Sequence, residues 1–302
     1  MSHQMLFASA MFNCRNSHLA ESMSLTALLD AIAAAAAPAR LTHSFTVTTS
    51  GGVGRGKPLQ GHNEIARRLY RRTTEELCLV SQDPDAPVRT DPYAAVSLGR
   101  SPKPSERQDE DRLLRTVSFE RMLKPSDTAA FLAGLKLAFS LVDAPSGYVH
   151  VTTDVMLAAS ELGFQAMAPH RPPPTTRPDG TPFPDSSRAR LEWKHAEDTN
   201  DRVRQLENVR SAIGARLRGT YWATLLGREM VAELGGAERI IREAPVHSVE
   251  SFGDGALYLQ LTPEPEPITT PAMQTGLLAL EQFLRPVLVP LPLYWATRAA
   301  EA

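Results

Sequence analysis

The stretch GTYWATLLGREMVAELGG, residues 219–236, decides the architecture around it. An aromatic, strand-like run leads at once into a short helical pattern, which closes on Leu234-Gly235-Gly236. Two glycines at this point predict a helix end, because glycine adopts the left-handed conformation without a steric penalty. The predicted core residues of the stretch are Trp222, Leu225, Leu226, Met230, Val231 and Leu234. The stretch has no histidine, cysteine or obvious nucleophile, so we interpret it as scaffold.

Downstream, Phe252-Gly253-Asp254-Gly255 is a strong turn signal between two alternating runs and predicts a β-hairpin. The run TGLLALEQFL then predicts a last helix that ends at Pro286. Upstream, predicted strands cover residues 41–49, the run RLLRTVSFERML and the run GYVHVTTDV. Predicted helices cover LTALLDAIAAAAAPA with Ser24 as N-cap, residues 62–80, and a helix capped by Ser126-Asp127.

These elements come in mixed order without a regular βαβ alternation. We therefore predict an α+β fold with a mostly antiparallel sheet and packed helices. Residues 81–111 carry five prolines among many charges and predict a long loop. A division there gives an N-terminal region, 1–110, and an α+β domain, 111–302, with one compact unit as the alternative.

Composition limits the function classes. The 302 residues are 42% hydrophobic and carry a net charge of -2, which argues against nucleic acid as the main partner. Two cysteines, Cys14 and Cys78, do not make a disulfide framework, so a cytoplasmic location is expected. The N-terminus lacks the basic start of a secretory signal. The alanine-rich run ending at Pro38 is too short to span a bilayer.

One glycine-rich segment and one arginine-rich segment suggest phosphate binding. Gly51 and Gly56-Lys57 match most of a P-loop, but Pro58 stands where Ser or Thr should hold magnesium, so a hairpin tip is favoured. The run RRLYRR at residues 67–72 could contact phosphates. Pairing of its arginines with nearby glutamates on a helix face is the favoured interpretation.

A nuclease pattern is the strongest catalytic alternative. Asp179 is followed by Glu192 and Lys194 in the PD…ExK arrangement, in which the acids bind a divalent metal and the lysine assists the attacking water. The aspartate, however, lies in a proline-rich tract that is poorly suited to a paired strand. The histidines show no zinc-ligand spacing with the cysteines, and there is no G-x-S-x-G elbow. We therefore expect no catalytic residue, metal or cofactor.

Charge is distributed unevenly along the chain. Residues 243–284 contain six acidic residues and no Lys or Arg, a formal charge of -6 within a chain of -2. The acids are Glu243, Glu250, Asp254, Glu264, Glu266 and Glu281. An acidic hairpin followed by the loop TPEPEP could meet a basic protein surface, and ordinary surface charge is the alternative.

The runs GTYWATLLGREMVAELGG, FGDGALYLQLTPEPEP and ALEQFLRP resemble a bacterial type VI secretion immunity family, which is paired with VRR-type nuclease toxins of the restriction-endonuclease fold. The resemblance covers residues 110–290 and is carried mainly by those after Gly214. This chain has Ile268-Thr269-Thr270 where relatives often show a Gly-Asp pair.

The resemblance implies a cytoplasmic immunity protein that binds and neutralises one cognate secreted toxin, a DNase, without catalysis. Contacts are expected at Glu250, Asp254, Glu264 and Glu266. No direct nucleic-acid or membrane partner is expected, and a homodimer is compatible with the sequence. The alternatives are the metal-dependent nuclease and a non-catalytic interaction protein of the secretion apparatus.

Overall fold

A computed structural model describes residues 6–14, 22–48, 54, 56–69, 71, 74–81, 92–100, 114–152, 216–217, 219–267 and 270–288. The chain divides into two compact units, residues 11–144 and residues 145–302 together with 1–10. The expected boundary near residue 110 lies inside the first unit, outside the described residues, and remains a sequence-based prediction. Among the described helices, none combines the length and hydrophobicity needed to cross a membrane.

The N-terminal unit is an antiparallel sheet packed with helices. Its strands are β2 (His43–Thr48), β3 (Lys57–Pro58), β4 (Thr74–Val80), β5 (Ala94–Arg100) and β6 (Leu114–Leu123), in the order β3-β2-β4-β5-β6. Its helices are α1 (Ser22–Ala36), α2 (His62–Leu69) and α3 (Thr128–Leu141). Strand β1 (Leu6–Asn13), which the sequence analysis did not predict, is divided between the two units.

The predicted helix over residues 62–80 is wrong in its second half. Helix α2 ends at Leu69, and the chain continues as β4 between β2 and β5. Leu77, Cys78 and Leu79 are all buried, which shows that both faces of this strand are covered. The spacing of four that suggested a helix is outweighed by a central position in the sheet, where both neighbouring strands satisfy the backbone.

The predicted loop at residues 81–111 is wrong between Ala94 and Arg100, where the chain forms β5. The alternation of buried Ala94, Val96 and Leu98 is the strand signal that the surrounding prolines obscured. The proposed N-cap is also wrong, because α1 begins at Ser22 and Ser24 lies within its first turn.

Helices α1 and α3 pack closely against each other. A Cβ atom added to Gly134 would lie 2.5 Å from the backbone nitrogen of Ala35, so only glycine permits this approach. Arg121 on β6 forms hydrogen bonds to the ends of both helices. Its guanidinium donates to the carbonyls of Ala35 and Ala37 at 2.8 and 2.7 Å and to Asp127 Oδ2 at 3.1 Å. Asp127 is the N-cap of α3, but its side chain makes no capping bond.

The C-terminal unit contains β7 (Ser146–Thr152), β8 (Ala223–Leu226), β9 (Ser248–Phe252) and β10 (Ala256–Gln260). These strands are antiparallel in the order β7-β8-β10-β9. The helices are α4 (Arg228–Glu233), α5 (Ala237–Glu243) and α6 (Pro271–Phe283). The predicted α+β class with an antiparallel sheet is confirmed.

The stretch at residues 219–236 folds as predicted. It forms β8 and α4, and all six of its predicted core residues are buried. Gly235 and Gly236 both have φ of +93°, a positive value that favours glycine, as the sequence indicated. The β9–β10 hairpin and the helix that stops before Pro286 are likewise confirmed.

Candidate partner-binding surface

The middle of the β9–β10 hairpin carries Glu250, the first of the four predicted contact residues. It is exposed on β9 and lies directly opposite Tyr258 on β10. Burial raises the pKa of the Tyr258 hydroxyl, and the nearby Glu250 charge raises it further. Tyr258 donates from its hydroxyl to Gln260 Oε1 at 3.0 Å. The carboxylate therefore stands beside a fixed, neutral phenol.

The loop that follows β10 is held by side chains from the core. Gln260 Nε2 donates to the carbonyls of Thr262 and Pro263 at 2.7 and 2.9 Å. The indole N–H of Trp222 is shared between Thr262 Oγ1 and the carbonyl of Glu264, both at 3.1 Å. The backbone at Glu264 is thus anchored from inside, while its side chain faces solvent.

The end of the loop is tied to α6. Thr270 Oγ1 donates to Glu266 Oε2 at 2.7 Å and accepts from the backbone N–H of Met273 at 3.3 Å, so it also caps the helix. Pro265 and Pro267, on either side of half-buried Glu266, are buried.

Asp254 lies at the opposite end of the hairpin from Glu264 and Glu266. It sits at the hairpin tip, at the end of the strands opposite the anchored loop, and strand rise places these ends about 13 Å apart. Its Oδ2 is 2.9 Å from Nη1 of Arg228 on α4, and both side chains are exposed. The hairpin tip therefore takes part in an ion pair, and it is less negatively charged than the sequence indicated.

Two further acids of the -6 segment do not add free negative charge to the surface. Glu243 is bound by Arg239 at 2.8 Å and by Arg242 at 2.7 Å, and these bonds lower the pKa of its carboxyl. Glu281 is buried, with only 2% of its surface exposed. Apart from the ion-paired Glu243 and Asp254, the exposed acids of this segment are Glu250 and Glu264, while Glu266 is half-buried and accepts a hydrogen bond from Thr270.

Sequence reasoning missed the residues that shape this surface. The pairing of Arg239 with Glu243 was readable as a spacing of four on a helix. The pairing of Arg228 with Asp254 was not, since 26 residues separate them. The roles of Trp222 and Gln260 as loop anchors also depend on tertiary contacts.

The phosphate-binding alternatives have clear outcomes where the structure describes them. Lys57 and Pro58 form the short strand β3, paired with β2, and α2 begins only at His62, so the P-loop geometry is absent there. Arg67 pairs with Glu64, as favoured from the sequence. Arg68 is buried and donates to the carbonyl of Ser44 at 3.2 Å.

The nuclease residues Asp179, Glu192 and Lys194 lie outside the described residues. Within the part of the chain that the structure describes, no group of three or more His, Cys, Asp or Glu side chains could hold a metal ion. His150 is fully buried beside Tyr221, with ring centroids 5.7 Å apart, and burial lowers its pKa to about 3. It is a neutral core residue at physiological pH.

One segment of the chain matches a known protein family. Residues 201–291 match the model of the TsiV family, described as type VI immunity for VRR-NUC. The chain carries a type VI immunity domain. The match includes the hairpin, the anchored loop and α6, and it confirms the resemblance predicted from the sequence.

A solved structure has a similar fold over most of the chain. The Pseudomonas aeruginosa T6SS protein PA0821 superposes with a TM-score of 0.54 at 13% sequence identity. The alignment covers 94% of this chain and 73% of that one, so the likeness extends well beyond the immunity domain. At this identity it shows a shared fold. No curated protein sequence matches the chain significantly.

Proposed function

We propose that this protein binds a VRR-type nuclease toxin in the cytoplasm and neutralises it stoichiometrically, without catalysis of its own. The observation that carries the proposal is the immunity-family match at residues 201–291, which includes the acidic hairpin and its anchored loop. The toxin would be a DNase delivered by sister cells. No cofactor enters this function.

The surface fits a basic partner. A nuclease that holds DNA needs a positively charged cleft, and Glu250 and Glu264 are exposed acids on adjacent parts of one hairpin and loop. Complementary charge raises the association rate and selects partners, while the bonds from Trp222 and Gln260 hold the loop before binding. A loop ordered in advance loses less conformational entropy when the complex forms.

Inhibition would then follow from occupation of the DNA-binding cleft. Carboxylates that contact the cationic side chains of the toxin take the place of DNA phosphates. Blocked toxin assembly is the alternative route to the same protection. The two routes differ in whether DNA and the immunity protein compete for one site.

The decisive experiment is titration of the purified toxin with the full-length protein, with binding followed by calorimetry and DNA cleavage followed on a plasmid. We expect one stoichiometric complex, loss of cleavage, and affinity that falls as salt is raised. Reversal of Glu250, Asp254, Glu264 and Glu266 to lysine should raise Kd at least tenfold, about 1.4 kcal/mol. Unchanged affinity in this variant would remove the acidic surface from the interface.

Single reversals sharpen the test. Glu264→Lys is expected to weaken binding more than Glu238→Lys, an exposed glutamate on α5 whose reversal changes the net charge equally. Equal effects would show that total charge, rather than this loop, determines affinity. Magnesium-dependent plasmid cleavage by the immunity protein alone, lost in Glu192→Ala, would instead favour the nuclease alternative.

A further inference from the structure

The outer face of the α1–α3 helix pair is unusually apolar for a surface exposed to water. Over their full lengths, SMSLTALLDAIAAAA and TAAFLAGLKLAFSL, these helices carry one charged residue each, Asp30 and Lys136. A helix that is apolar on every side is typical of a buried position. Here one side of each helix is nevertheless exposed.

The exposed apolar side chains of α3 lie on one stripe. Ala130, Ala133, Leu137 and Leu141 recur at spacings of three or four, which places them on one helix face. Leu137 is 53% exposed and Leu141 is 37% exposed. On α1, Ala33 and Ala34 are exposed beside Asp30. The close approach of the two helices at Gly134 and Ala35 makes them neighbours in one layer.

We infer that this face of the N-terminal unit is a self-association surface, covered by the same face of a second copy of the protein. Charge decides between a second copy and the nuclease. A basic partner matches the acidic hairpin but gains little from a face whose two helices carry Asp30 and Lys136 as their only charged residues. The two charges within these helices are opposite in sign. A two-fold arrangement brings Asp30 of each copy, which also lies 3.8 Å from His62 Nε2 of its own chain, next to Lys136 of the other.

The rim of the face supports the same assignment. Exposed charged residues lie just beyond the helix ends, at Arg40, Lys124 and Asp143. An apolar centre with a charged rim is the usual anatomy of a protein interface. Two helices of this length cover about 450 Å² in projection, less than the roughly 800 Å² per partner of a standard stable interface. The dimer is therefore weak and depends on concentration.

Sedimentation of the full-length protein at concentrations between about 1 and 500 µM tests the inference. Dimers are expected to accumulate at the upper end of this range, as for a micromolar Kd. The variant Leu137→Glu/Leu141→Glu replaces exposed side chains and should remain folded by circular dichroism while its dimer Kd rises at least tenfold. Ile241→Glu changes an exposed isoleucine of the C-terminal unit and should leave self-association unchanged.

A charge exchange gives a second, independent readout. Asp30→Lys and Lys136→Asp should each weaken the dimer several-fold, and the double variant should recover it because the opposite charges meet again. A protein that stays monomeric at 500 µM overturns the inference, as does a dimer insensitive to the leucine variant. Loss of toxin binding by the leucine variant without any dimer would assign the face to the toxin instead.

Discussion

The two units use charged side chains in different ways. In the N-terminal unit the Arg121–Asp127 pair is largely buried, with side-chain exposures of 3% and 16%, and it joins β6 to the ends of α1 and α3. In the C-terminal unit the Arg228–Asp254 pair is exposed on both sides, at 59% and 92%. An arginine–aspartate ion pair thus joins secondary-structure elements in one unit, and a pair of the same type lies exposed at the surface of the other.

The difference follows from solvation. A buried guanidinium has lost its water and must find every partner in the protein, whereas an exposed one exchanges protein and water partners at little cost. The Arg121–Asp127 pair is therefore part of the interior of the N-terminal unit, whereas the Arg228–Asp254 pair lies at the surface of the C-terminal unit, where a partner can reach it.

The largest expected effect comes from breaking the buried pair. Arg121→Met leaves the Asp127 carboxylate and the carbonyls of Ala35 and Ala37 without their donor, and should cost about 3–5 kcal/mol of unfolding free energy. Arg228→Met removes a comparable bond at the surface and should cost at most about 1 kcal/mol. Urea denaturation of both variants measures the contrast, and equal losses would contradict it.

An intermediate effect is expected from His150, a buried titratable side chain in the C-terminal unit. Its folded pKa of about 3 lies below its ordinary value of 6.5, so between these values the unfolded chain binds the extra proton. Stability is fully present above pH 6.5 and falls as the pH is lowered toward 3. The loss reaches about 2 kcal/mol at pH 5.

Replacement by an uncharged ring tests this origin of the pH dependence. His150→Phe keeps an aromatic contact for Tyr221 and should flatten the fall in stability between pH 6.5 and 5. A wild-type slope retained in His150→Phe would assign the acid sensitivity to other groups.

The smallest expected effect concerns the anchored loop. Thr270→Ala removes the cap on α6 and the bond to Glu266, and should lower stability by about 1 kcal/mol. Thr270→Ser retains a hydroxyl and should lose less than half of that. Thermal unfolding of the two variants distinguishes the stability contributed by the capping hydroxyl from that contributed by the methyl group. Equal losses of stability in both variants would show that the hydroxyl contributes little.

Local sequence signals predicted much of the C-terminal unit. The turn at Gly253-Asp254-Gly255, the glycines at 235 and 236 and the helix stop before Pro286 each depend on backbone preferences of the residues themselves. Such preferences act over a few residues and survive in the fold. The core positions of β8 and α4 followed from periodicity for the same reason.

The errors occurred where distant contacts outweighed local pattern. Residues 74–80 are a strand because β2 and β5 flank them, and residues 94–100 are a strand despite the prolines around them. The candidate surface shows the same limit. The sequence window of residues 243–284 excluded Arg228, Arg239 and Arg242, which return in space to bind Asp254 and Glu243.

The sequence by itself therefore determined the α+β class, the hairpin, the core of residues 219–236 and the family resemblance, because each depends on the order of neighbouring residues. Only the tertiary structure decided which acids are neutralised, which loop is held in place, and that the α1–α3 face remains exposed. Charge pairing and burial depend on which residues meet across long stretches of chain. These contacts are set only when the sheet and the helices pack together.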